Sequence, residues 1–175
     1  MRTIRILLFC LAALLPLAGC GVANQSADAR RAEKEAERQA IVQAVEAGDF
    51  VLQITEIIPV GFPAKTSNME YEMRLKDGVV TARLPFIGRS YDAGYPGKEL
   101  SVVFEKEKVS LKKDFSEAAK GKYRYYFQGG KDDTWTVTLQ LWDSGKADID
   151  CASQSGRFMS YRANIVPGSR DDEKD

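Results

Sequence analysis

From Phe50 to Ile165, apolar side chains recur at every second residue, and no other feature of the chain limits its fold so tightly. Phe50, Leu52 and Ile54 alternate with Val51, Gln53 and Thr55, and Met69, Tyr71, Met73 and Leu75 alternate with Glu70, Glu72, Arg74 and Lys76. The pattern returns at Val80–Leu84, Leu100–Phe104, Tyr123–Phe127, Trp135–Leu141, Ala147–Cys151 and Met159–Ile165, and more weakly at Val109 and Leu111. A period of two places alternate side chains on opposite faces, so each segment predicts a half-buried strand. Asp77-Gly78 is a strong hairpin signal, and Gly129-Gly130-Lys131-Asp132-Asp133 and Asp143-Ser144-Gly145 supply further turns. About eight or nine short strands at near-even spacing predict a mainly β domain over residues 49–167, an antiparallel sandwich or barrel, preceded by one helix. Tyr71, Phe104, Tyr123, Phe127, Trp135 and Tyr161 fall on the inward side. Such aromatics can line a ligand cavity in a small barrel. We expect them instead to fill the core, which a domain of this size needs for stability.

Upstream the period lengthens. Ala32, Ala36, Ala40 and Ala44 recur every four residues with Ile41 and Val45, and Gly48 follows as a stop. These residues predict a helix over 29–47, polar in its first half and docked through Ile41 and Val45. Residues 20–28 are small and polar and read as a flexible tether.

The first nineteen residues read as a signal peptide. Arg2 and Arg5 precede an apolar run from Ile6 to Leu17, too short for a bilayer span of about twenty residues. Leu17-Ala18-Gly19-Cys20 resembles the bacterial lipobox, which implies cleavage before Cys20 and a diacylglyceryl thioether on its sulfur. Two or three acyl chains anchor a protein stably where one does not. Gly21 and the lack of an acidic cluster after Cys20 point to an outer membrane site facing the periplasm. With Cys10 removed and Cys20 acylated, Cys151 is the one remaining thiol, so no intramolecular disulfide is expected. Its place in the Ile149–Cys151 alternation predicts a buried small hydrophobe.

Charge and composition narrow the chemistry. The 25 basic and 25 acidic residues balance, and loss of Arg2 and Arg5 leaves 23 against 25, so a nucleic-acid partner is not expected. The Lys106–Lys113 cluster is diluted by Glu105 and Glu107 and reads as a solvated strand surface. The chain has no histidine, which removes the usual serine and cysteine triads and the common zinc sites. No phosphate-binding glycine loop is present, and neither Asp132-Asp133 nor Asp148 with Asp150 brings the six or more oxygens calcium requires. No cofactor or metal is expected, and Asp132-Asp133 reads as a solvated turn.

Leu84 to Leu100 is the candidate functional stretch. Phe86, Gly88, Arg89, Tyr91, Asp92 and Tyr95 combine aromatic faces, backbone freedom and a possible ion pair. As a recognition lip, Tyr91 and Tyr95 would stack on a ligand while Arg89 holds an anion. As a structural corner, the stretch would close one end of the β layer with Arg89 bonding loop carbonyls. The corner is our expectation.

Leu84-Pro85-Phe86-Ile87-Gly88-Arg89-Ser90-Tyr91 resembles the signature of a family of bacterial lipoproteins catalogued as domain of unknown function 4251, whose members read Leu-Pro-aromatic-x-Gly-Arg-x-Tyr there. The likeness continues through Trp135-Thr136-Val137-Thr138-Leu139, the Asp143-Ser144-Gly145 turn and Ser155-Gly156-Arg157-Phe158-Met159-Ser160-Tyr161, with Gly156, Met159 and Ala163 departing from the family's usual Asn, Ile and Gly. It implies a secreted, lipid-anchored β domain and no particular activity. The expectation is therefore a non-catalytic binding or accessory module of the cell envelope. It would be held to the membrane through Cys20 and contact a small molecule, glycan or envelope protein. The alternatives are an assembly component docking through the helix or a strand edge, and a carboxylate-based hydrolase.

Overall fold

The computed structural model describes residues 22–68, 70–87, 101–131 and 133–168. Helix α1 (Val22–Ala47) leads into β1 (Phe50–Pro59), β2 (Lys65–Thr66), β3 (Glu72–Lys76), β4 (Val79–Pro85) and β5 (Ser101–Lys108). Then follow β6 (Lys112–Asp114), β7 (Lys122–Gly129), β8 (Trp135–Trp142), β9 (Lys146–Ser153) and β10 (Phe158–Pro167). Every pairing is antiparallel in one sheet, ordered β5-β4-β3-β1-β10-β9-β8-β7-β6 with β2 beside β1. The expected mainly β fold with one leading helix is therefore present. It is a single curled half-barrel rather than a sandwich.

The curl follows from connectivity. β5 and β6 occupy opposite ends of the sheet order, yet only residues 109–111 separate them in the chain. One nearly continuous run therefore serves both edges. Where β5 and β7 diverge, Lys131 N–H donates to Val103 C=O at 3.1 Å and Gly130 N–H donates to the Glu107 carboxylate at 2.8 Å. A Cβ at Gly129 would lie 2.6 Å from Glu107 Oε1, so a larger residue there would displace the carboxylate that holds Gly130 N–H. These contacts, one through the backbone and one through the Glu107 side chain, occupy part of the β5 edge that would otherwise offer unpaired groups.

The concave side carries the core. Phe50, Leu52, Met73, Leu75, Phe104, Trp135, Leu139, Ile149 and Tyr161 are each no more than 1% exposed, and Tyr123 and Phe127 are buried with them. Edge-to-face ring pairs run through it, Phe50–Tyr125 at 5.8 Å and Phe104–Phe127 at 5.7 Å between centroids. The aromatics fill the interior, as expected. Cys151 is fully buried among them, and burial, then the charge of Asp150, pushes its thiol far up. Tyr71 also packs against the core, as expected, but is less deeply buried than the other aromatics. β3 begins only at Glu72, and Tyr71 is half-buried just before it, its carbonyl accepting from Ile54 N–H at 2.9 Å. The cause is a register shift in β1 between Ile54 and Glu56, beyond which β1 pairs with β2 rather than β3.

The helix is longer than expected and its end belongs to the domain. It starts at Val22, so residues 22–28, read as tether, are helical; Val22–Ala47 contains neither glycine nor proline to stop it. The chain divides into two units at Ala36, and residues 27–36 of the first are exposed. In the second, Ile41 (4% exposed) and Val45 (0%) enter the core, and Tyr125 donates its hydroxyl to the Val45 carbonyl. Burial, then the charge of Glu46, pushes that hydroxyl up to about 12. Arg38 meets Asp143 at 2.7 Å, and Lys113, from the cluster read as solvated surface, donates to Glu46 C=O at 3.0 Å. A Schellman motif ends the helix: Asp49 N–H bonds Ala44 C=O and Gly48 N–H bonds Val45 C=O, with Gly48 at φ +80°. Gly168 N–H bonds Asp49 C=O at 3.0 Å, so the first residue assigned to the tail still ties off the sheet. Residues 1–19, read as a signal peptide, with Cys20 and residues 169–175, lie outside the described residues.

Candidate functional site

Strand directions divide the half-barrel into two ends. The docked part of α1 meets the end where β1 starts. The opposite end gathers the close of β4, the turn between β7 and β8, and the turn between β9 and β10. There the end of β4 is clasped. Tyr161 donates its hydroxyl to Pro85 C=O at 2.8 Å, and Leu84 is fully buried. Phe86 packs on Trp135 at 6.2 Å, and the Arg157 guanidinium lies 5.8 Å from the Phe86 ring and 5.2 Å from that of Trp135. Arg157 also donates to Asp133 at 2.6 Å and to Ser155 Oγ at 3.0 Å. Burial opposes ionisation of Asp133, but hydrogen bonds from Ser155, Arg157 and Ser153 and the charge of Arg157 outweigh it, holding the carboxyl at about 2.

Of the candidate stretch, Phe86 is described and is half-buried in this clasp. Gly88, Arg89, Tyr91, Asp92 and Tyr95 lie outside the described residues. Among the described residues, Arg157 is the arginine that holds this end together, through Asp133 and Ser155. Asp133 is not a solvated turn residue, contrary to the sequence expectation, because its side chain is only 12% exposed. The turn after Gly129-Gly130 folds it onto the turn between β9 and β10, a contact from residues over twenty positions away. The one signal for Arg157 in the sequence was its place in the Ser155–Tyr161 segment.

A second feature lies on the convex face. Glu72 of β3, Thr81 and Arg83 of β4, and Val103, Glu105 and Lys106 of β5 surround a depression of about 590 Å³, whose lining also includes Glu70, Tyr71 and the core residues Ala82 and Phe104. Its shape traces to a bulge. Val80 faces Glu107 while Ala82 faces Phe104, so β5 carries one extra residue. Lys106 absorbs it at φ +49°, a left-handed conformation costing a non-glycine residue about 1 kcal/mol. Consecutive Glu105 and Lys106 are in consequence both exposed. Arg83 reaches Glu105 at 3.6 Å and Lys131 reaches it at 2.7 Å; the Lys131 hydrogen bond, followed after opposing desolvation by the charges of Lys131 and Arg83, lowers the Glu105 carboxyl. Arg74 lies 3.4 Å from Glu72. Sequence reading missed this site because Glu70, Glu72, Arg83 and Glu105 fit the polar half of alternating strands, while Lys106, two residues past Phe104 on the apolar half, reaches the surface only through the bulge.

Among the described residues, no three carboxylates, cysteines or histidines converge to hold a metal ion, and no helix is long and apolar enough to cross a membrane. A crystal structure of a DUF4251 family protein from Bacteroides eggerthii DSM 20697 has this fold. The TM-score is 0.58 at 17% identity, covering 78% of this chain and 91% of that one. No curated protein matches the chain. The family model for the domain of unknown function DUF4251 matches residues 32–165, from the docked helix through the last core residue of β10. The chain belongs to the DUF4251 family.

Proposed function

We propose that this protein is a non-catalytic binding module of the cell envelope, held at the outer membrane's periplasmic face by acylated Cys20, with its ligand site on the convex face of β3–β5. The depression of about 590 Å³ carries the reading. Its volume suits a small molecule or the end of a larger one. The concave side is filled by the protein's own aromatics, so the convex face is where the described surface offers a ligand space. The chemistry of the lining supports binding over hydrolysis. A glycosidase pairs a general acid that holds its proton near neutral pH with an ionised carboxylate, and Glu105, lowered by Lys131 and Arg83, suits only the second of these. Membrane attachment is supported by the arginine, apolar and Leu-Ala-Gly-Cys order of the first twenty residues.

The test is a thermal-shift screen of the chain beginning at Glu37 against amino acids, short peptides and glycans, run beside Thr81→Trp. Thr81 is exposed and lines the depression, so tryptophan there fills it without touching the core. A ligand that raises the melting midpoint of the wild type but not of Thr81→Trp supports the reading. Ligand shifts equal in both proteins would place the site elsewhere.

A further inference from the structure

The charges around the depression specify a ligand more narrowly than its volume does. Resting on the convex-face site proposed above, we infer that its ligand is a zwitterion carrying both an ammonium and a carboxylate, of the class of free amino acids and short unblocked peptides. Three carboxylates line the space, Glu70, Glu72 and Glu105, with two cations, Arg83 and Lys106. Glu72 is engaged by Arg74, and Glu105 by Lys131 and Arg83. Among the described residues, Glu70 and Lys106 have no such partner. The site therefore presents one uncommitted acceptor and one uncommitted ammonium. Arg83, 71% exposed and 3.6 Å from its only carboxylate among the described residues, can turn toward a second.

Other ligand classes fit less well. A phosphate or nucleotide would face three carboxylates. A simple cation would face Arg83 and Lys106 and find no converging ligand set. A neutral sugar would leave both uncommitted charges unanswered, and a site built to pair a group discriminates against ligands that lack it. A zwitterion answers both at once. Half-buried Tyr71 gives its chain an apolar wall. The bulge is what makes the pair possible: in a regular strand Glu105 and Lys106 would face opposite sides, and the left-handed turn at Lys106 keeps both on the surface.

Titration calorimetry with alanine, dialanine and trialanine, each free, N-acetylated and C-amidated, tests the inference. At least one free form should bind, and either block should weaken it about tenfold or more, as expected for loss of a charge-assisted contact. Glu70→Gln should abolish the penalty for N-acetylation, and Lys106→Gly the penalty for C-amidation. Glycine accepts the left-handed φ at Lys106, so that variant keeps its fold. Blocked and free forms binding alike would overturn the inference. So would a neutral glycan that binds in the Thr81-dependent manner while every peptide fails, which leaves the convex-face site standing. Shifts unaffected by Thr81→Trp would remove both.

Discussion

Arg157 donates to Asp133 at 2.6 Å across the mouth of the half-barrel, with 18% and 12% of their side chains exposed. The pair joins the turn between β7 and β8 to the turn between β9 and β10, and Arg157 lies over Phe86 and Trp135. Parts of three of the segments that carry the family resemblance, Leu84–Phe86, Trp135 and Ser155–Tyr161, thus meet in one structural clasp, while the Asp143-Ser144-Gly145 turn lies at the other end, where Asp143 meets Arg38. Arg157→Ala should destabilise the domain by about 2–3 kcal/mol in urea unfolding, because it strands a largely desolvated carboxylate. Arg157→Lys should recover only part, since an ammonium cannot both lie flat on the rings and reach Asp133 and Ser155. A double-mutant cycle with Asp133→Asn should give a coupling of about 1–3 kcal/mol; additive effects would dissolve the clasp.

Acid should release it. The Asp133 carboxyl sits at about 2 in the fold, below its usual 3.8. Its contribution is therefore fully present above pH 3.8 and is lost as pH falls through about 2. Wild type should lose about 1–2 kcal/mol over that window through this group, allowing for solvent at the rim. Asp133→Asn should show a correspondingly smaller acid loss when stability is followed from pH 5 to pH 2.

The helix end should prove inseparable from the sheet. Ile41 and Val45 are buried in the core and Tyr125 bonds the Val45 carbonyl. A chain beginning at Glu37 should unfold cooperatively with a β-dominated circular dichroism spectrum. A chain beginning at Asp49 should be less stable by about 3–6 kcal/mol, from the loss of two buried aliphatic side chains. Equal midpoints for the two would show that α1 is dispensable.

The sheet was legible in the sequence because a period of two, sustained from Phe50 to Ile165, allows few structures. Trp135, Tyr161, Phe104 and Phe127 were correctly placed inward by that pattern alone. The half-barrel was not legible, because it depends on β5 and β6 serving opposite edges, and alternation is blind to strand order. The helix start at Val22 was missed because a small polar segment without glycine or proline suits a helix as well as a tether. Asp133 and Arg157 were missed as a pair because nothing local joins residues 24 positions apart. The bulge at Lys106 was hidden because lysine carries no sequence mark of a left-handed turn.

Cys20→Ser should leave the protein unprocessed or release it from the membrane fraction, and the mature wild type should begin at an acylated Cys20 by mass spectrometry. An unmodified amino terminus with unchanged fractionation would remove the lipid anchor from the proposal.

The convex-face site is tested most directly by amide chemical-shift mapping of the isotope-labelled chain beginning at Glu37 during titration with the tightest-binding free alanine peptide. Perturbations should cluster at Glu70–Glu72, Thr81–Arg83 and Val103–Lys106, the lining of the depression, and leave the buried core positions Tyr125, Ile149 and Cys151 unmoved. Shifts concentrated on the concave core, or spread over the sheet with none at Thr81–Arg83 and Val103–Lys106, would contradict it.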